Sequence, residues 1–142
     1  MSAQAQPAGA TALWHTITLH LAREAAFPNG SEKHGYTIHA PLDAALHLDA
    51  AAWRQSGLTC KVTRFWGTEP SRAGWLEHRR GGADGATWVI DYDRSSAADD
   101  EPAYRLDRHH FKLGEYVTIA GHDRSHTFVV ARLVATPPPA AS

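Results

Sequence analysis

The sequence predicts an all-β domain, mainly antiparallel: a small barrel or barrel-like roll of six to eight strands with one short helix. Three observations carry this expectation. Eight short segments alternate or run apolar at strand length. Turn-rich connectors such as RGGADGA and GHDRSH separate several of them, in the manner of hairpins. Helix signals are confined to one place, and many short strands with little helix form sandwiches or barrels.

Residues 1–12 are mostly Ala, Gln, Pro, Gly and Thr with little to bury, and read as a disordered tail. A single domain is expected from Leu13 to Ala135, and Thr136 to Ser142 reads as a Pro-rich tail that cannot extend a strand. The first strand, Leu13 to Arg23, sets Leu13, Ile17, Leu19 and Leu21 against Trp14, Thr16, Thr18 and His20. Tyr36 to Ala40 places Tyr36 and Ile38 opposite Thr37 and His39. In Leu58 to Trp66, the residues Leu58, Cys60 and Val62 share a face. Gly74 to Arg79 and Thr87 to Asp93 form a hairpin, Tyr104 to His109 is a weaker strand, and Glu115 to Ala120 pairs with Thr127 to Val134. The last of these is apolar on both faces, which places it inside the sheet rather than at an edge. The helix is Ala50 to Gln55, with Asp49 as N-cap and Gly57 at the C-terminal end. Ala25 to Gly35, Gly67 to Ala73 and Arg94 to Pro102 read as long loops, where binding usually resides.

Composition excludes several classes. A formal net charge of -1 lacks the basic excess of a dedicated duplex-DNA binder. No run of 18 apolar residues provides a membrane span, and the N-terminus lacks the basic and apolar regions of a secretory signal. Cys60 is the only cysteine, so an internal disulfide framework and multi-cysteine metal sites are excluded and a cytoplasmic setting is expected. Ten histidines make the charge swing positive between about pH 7.5 and pH 5.5.

Four constellations could carry chemistry. His20 and His39 lie on the less apolar face of early strands and, with His109 or His110, could hold a divalent metal, which needs three or four ligands. No pair has a recognised metal spacing, so scattered surface imidazoles are the simpler reading. The acidic stretch DYDRSSAADDE puts Asp91, Asp93 and Ser95 at the 1, 3 and 5 positions of a calcium loop, but Ser96 and Pro102 break the pattern and a solvated loop is favoured. An aromatic–basic cluster (Arg64, Trp66, Trp75 and Arg80 at its centre) could bind a ligand or stack single-stranded nucleic acid. Glu69 and Glu77 interrupt it, and tryptophans at this density equally serve packing. Arg64 shares the apolar phase of its strand; the simpler reading is that the strand bulges or leaves the core there, the alternative that Arg64 stacks on Trp66 or pairs with a carboxylate. Cys60, in phase with Leu58 and Val62, reads as a small core residue with a raised pKa.

Local resemblances do not extend to a family. HGYTIH is similar to the zinc-binding strand of pyruvoyl-tetrahydropterin synthases, but Tyr36 follows Gly35 where a second ligand belongs. FKLGEYVTI is similar to the flavin-binding strand of ferredoxin-reductase-like barrels, but AGHDRS replaces the element that should follow. Phosphate loops and the nucleophile elbow are absent. The expectation is a binding or protein-interaction module with no predicted cofactor, its partner a protein or a small molecule. A histidine-ligated metal enzyme and a single-strand nucleic-acid barrel are the alternatives.

Overall fold

The computed structural model describes residues 13–56, 60–78, 88–93, 101–102, 106, 110–120 and 125–138. Among these, eight strands form one sheet: β1 (Leu13–Leu21), β2 (Ser31–Leu42), β3 (Lys61–Trp66), β4 (Glu69–His78), β5 (Trp88–Asp91), β6 (Glu101–Pro102), β7 (Tyr116–Ala120) and β8 (Ser125–Ala135). A single short helix, α1 (Ala50–Ser56), joins β2 to β3. The spatial order is β6-β5-β4-β3-β2-β1-β8-β7, with every pairing antiparallel. The two edges, β6 and β7, approach until Cα atoms lie within 8 Å of each other, so the sheet is a barrel-like roll.

Alternation builds the inner face. Ile17, Leu19 and Leu21 of β1 are buried, as are Tyr36, Ile38, Ala40 and Leu42 of β2 and Cys60 and Val62 at the start of β3. Each such aliphatic side chain contributes about 1.5–3 kcal/mol on burial. Leu13 keeps the phase of Ile17 but, at the strand end, is 61% exposed. Register shifts at His20/Leu21, Thr18/Leu19 and Arg64/Trp66 bend the strands and sharpen the curl. At the tightest point a Cβ on Gly35 would lie 1.8 Å from the Leu19 carbonyl oxygen, so only glycine lets β1 and β2 close there.

One end of the roll is plugged. The Asp49 side chain accepts the Ala52 N–H at 3.0 Å, capping α1 as expected. The helix then sets Trp53 against Trp88, with ring centroids 6.1 Å apart, and Trp53 Nε1 donates to the Leu76 carbonyl at 2.8 Å. Phe111 and Leu48 complete the seal, and the Phe111 N–H donates to Leu46 O at 2.8 Å.

Several expected boundaries move. β2 begins at Ser31 and β4 at Glu69, so much of two expected loops, Ala25 to Gly35 and Gly67 to Ala73, is strand. Polar residues there lie on exposed ends of paired strands, where backbone pairing (Leu21 with Ser31, Trp66 with Glu69) does not require an apolar side chain. The strand expected from Tyr104 to His109 is not formed at Leu106, which is buried in a 3₁₀ turn; its neighbours lie outside the described residues. Glu101 and Pro102, expected in a loop, instead make β6. β8 lies between β1 and β7, as its composition predicts. The start of the Pro-rich segment is fastened to the sheet, for the Thr136 N–H donates to Trp14 O at 2.9 Å and His39 Nε2 donates to Pro137 O at 3.0 Å. The expected N-terminal tail lies outside the described residues. No helix among the described residues is long and apolar enough to cross a membrane.

Candidate functional site

The end of the roll opposite the plug carries charge. Register sets Tyr36 beside Arg64 and Arg64 beside Arg72 across β2, β3 and β4. Glu101 comes in from β6, opposite Ile90. Its carboxylate is 1% exposed. The Tyr36 hydroxyl donates to its Oε1 at 2.9 Å and the Tyr92 hydroxyl donates to the same oxygen at 2.6 Å. Arg64 Nε stands 3.8 Å from the other oxygen, and Arg64 Nη1 stands 3.8 Å from Oε1 of Glu69. The guanidinium lies over the Trp66 ring at 4.5 Å, and that of Arg72 over Tyr92 at 4.2 Å.

Burial is the largest influence on both tyrosines and raises their pKa values well above the ordinary range; the negative charge of Glu101 adds to it. Both hydroxyls therefore keep their protons and remain donors to the carboxylate. A buried ion pair without such hydrogen bonds would not repay the cost of desolvation.

Aromatic rings and imidazoles rim this cluster. Trp66 lies between His34 and His126, with centroids 4.7 and 5.1 Å away, and Phe27 lies 4.6 Å from His34. A tight turn positions the next partner: the Glu24 N–H donates to Phe27 O at 3.0 Å and the Phe27 N–H returns to Glu24 O at 2.9 Å. Glu24 Oε1 then accepts from His126 Nδ1 at 2.9 Å. His34 Nδ1 shares a 2.7 Å hydrogen bond with Ser31 Oγ. Burial first, then the Arg64 charge, lowers the pKa of His34, against smaller raising effects of Glu69 and Glu24.

The residues singled out from sequence divide sharply. Arg64 and Trp66 meet inside the polar end. Trp75 pairs with Lys61 on the opposite face of the sheet, because it lies between the inward Gly74 and Leu76. Arg80 lies outside the described residues. Both readings of Arg64 hold in part: a bulge follows it, as the simpler reading expects, yet its side chain stays 18% exposed, stacks on Trp66 and faces two carboxylates, as the alternative expects. The reading of the acidic stretch as a solvated loop is corrected at both ends, since Asp91 is 3% and Glu101 1% exposed.

His20 faces Gly35 and His39 faces Thr16 in the register, four positions or about 13 Å apart along the strands. His39 packs on Trp14 at 5.0 Å, and His20 lies 6.3 Å from Phe65. The structure does not bring these two together, and His109 lies outside the described residues. Among the described residues no group of three His, Cys, Asp or Glu side chains is placed to hold a metal ion. Cys60 is buried, and burial pushes its thiol up to about 12, as its phase in the strand predicts.

Sequence reasoning missed Glu101, Tyr92, Glu24 and His126. Tyr92 follows the inward phase of Trp88 and Ile90 and was legible on that ground. Glu101 carries no local signal, as it stands beside two aspartates of the same apparent loop. No protein-family model, curated protein or solved structure matches this chain.

Proposed function

We propose that the protein is a binding module whose ligand docks at the polar end of the roll. One observation carries this reading: Glu101, Tyr36, Tyr92 and Arg64 form a buried polar cluster where apolar side chains would stabilise the fold at least as well. Charged groups gathered beside aromatic rings are a common make-up of a binding site. The polar end adds support, since there two guanidinium groups stack on rings beside a buried carboxylate. A cytoplasmic setting is part of the proposal; what supports it is a lone, buried and unpaired cysteine.

Native mass spectrometry of the untagged protein tests the reading. The expected result is a co-purifying small molecule on the wild type that is depleted in Arg64→Met, with circular dichroism confirming that the variant is folded. A wild type that is bare as purified and gains no mass after incubation with a metabolite extract would reject the proposal.

A further inference from the structure

The Arg64 guanidinium is held but underused. Trp66 supports one face of it at 4.5 Å. Its Nε–H is buried and meets no hydrogen-bond acceptor among the described residues. Its two carboxylate neighbours both stand at 3.8 Å, beyond hydrogen-bonding distance for an N–H donor. The two neighbours also differ in kind. Glu101 is buried and fixed by two tyrosine hydroxyls, whereas the Glu69 side chain is 64% exposed. Glu69 follows a two-residue turn that Gly67 makes possible with φ of +60°. The Nη1 edge of Arg64 therefore looks toward solvent past a side chain free to move.

Taking the polar end as a binding site, we propose that Arg64 is the receptor for the carboxylate of a small planar organic monoanion, and that Glu69 occupies that place in the empty protein. A guanidinium accepts a carboxylate through two parallel N–H donors, which the loose contact with Glu69 leaves available. The Trp66 ring beside it, itself edge-on to His34, suits a flat, apolar body. Charge next to the guanidinium favours a monoanion. Arg64 lies between the buried carboxylate of Glu101 and the exposed one of Glu69, so a monocarboxylate that takes the place of Glu69 leaves that pairing unchanged. A phosphate dianion adds to the negative side, and a cation meets Arg64 head-on.

Isothermal titration calorimetry on the full chain with benzoate, acetate, inorganic phosphate and benzamidine tests this. Benzoate should saturate and bind more tightly than acetate, with phosphate and benzamidine weakest. Glu69→Gln should tighten benzoate by about three- to fivefold, the scale of a lost exposed ion pair. Arg64→Met should abolish the benzoate signal. If that variant does not fold, Glu69→Gln alone decides, because its side chain is exposed. Benzoate that fails to saturate on both wild type and Glu69→Gln overturns the proposal, as does a Glu69→Gln protein that binds benzoate no better than wild type. Saturable benzamidine without saturable benzoate overturns the carboxylate assignment and leaves the binding-module reading standing. A wild type that takes none of the four probes and carries no co-purifying molecule overturns both.

Discussion

The two ends of the roll share the same strands and bury opposite chemistry. At the plugged end, Trp88, Phe111 and Leu48 close over the core; Trp53 Nε1 donates to a backbone carbonyl, while the buried Trp88 Nε1 and His47 Nε2 meet no hydrogen-bond partner among the described residues. At the polar end the same strands present Tyr36, Arg64 and Tyr92 inward around a carboxylate brought from a distant strand. Packing at the first end stabilises by removing apolar surface from water, which is insensitive to pH. Order at the second depends on protonation states and on hydrogen bonds that water would otherwise make. The lesson is a division of labour: one end holds the fold together, and the other carries a desolvation cost that stability alone does not explain.

The largest expected effect comes from breaking the plug. Phe111→Ala should cost about 3–5 kcal/mol of stability, read as a lower urea midpoint, while ligand occupancy of the folded fraction is unchanged. Comparable loss of occupancy would mean that the ends are not separable.

The opposite change is expected at the polar end. Replacing the set together, as Arg64→Met, Glu101→Leu, Tyr36→Phe and Tyr92→Phe, should leave stability unchanged or raise it by about 1–4 kcal/mol while abolishing binding. Urea unfolding beside native mass spectrometry measures both. A markedly destabilised quadruple variant would show that the cluster is structural.

Alkaline titration gives a smaller effect, confined to one end. The folded pKa values of Tyr36 and Tyr92 are raised above the ordinary 10.0. Their contribution is therefore complete below pH 10 and is lost as pH rises, because the unfolded chain releases protons that the folded chain retains. Absorbance at 295 nm should show the Tyr36 and Tyr92 hydroxyls silent until the protein unfolds. Titration of either in the folded state would contradict the buried hydrogen bonds.

His34 should give the smallest effect, with the opposite pH sense. Its folded pKa lies below 6.5, so its contribution is complete above pH 6.5 and fades as pH falls through the folded value. An NMR titration of the His34 ring checks this. A midpoint above 6.5 would mean that Glu24 and Glu69 outweigh burial and Arg64.

The sequence and the structure agree best where contacts are local or repetitive. Alternation in β1 exposed its inner face, the Asp49 cap located α1, and the phase of Cys60 with Val62 placed the thiol in the core. The polar end depends on encounters far apart in the chain. Tyr36 and Glu101 are 65 residues apart, and Glu24 and His126 are 102 apart. No window of sequence contains either pair. Composition also misled, because Glu32, Lys33 and Arg72 give paired strand ends the look of loops. Arg64 was legible in part: its phase points inward and the expected bulge follows it, but the partner that makes its burial tolerable lies 37 residues away in Glu101 and was not visible. Such conflicts between local pattern and global fold gather at functional sites.

Edge strand β6 carries a last consequence. It is two residues long and pairs with β5 only at Val89 with Pro102 and Ile90 with Glu101. Pro102 has no N–H to give the ladder. This slight backbone attachment is supplemented at Glu101, whose side chain is gripped by two hydroxyls. The carboxylate and the strand edge therefore move together: any ligand that strengthens the hold on Glu101 also fastens that edge, and any opening of the edge carries the carboxylate out of the site.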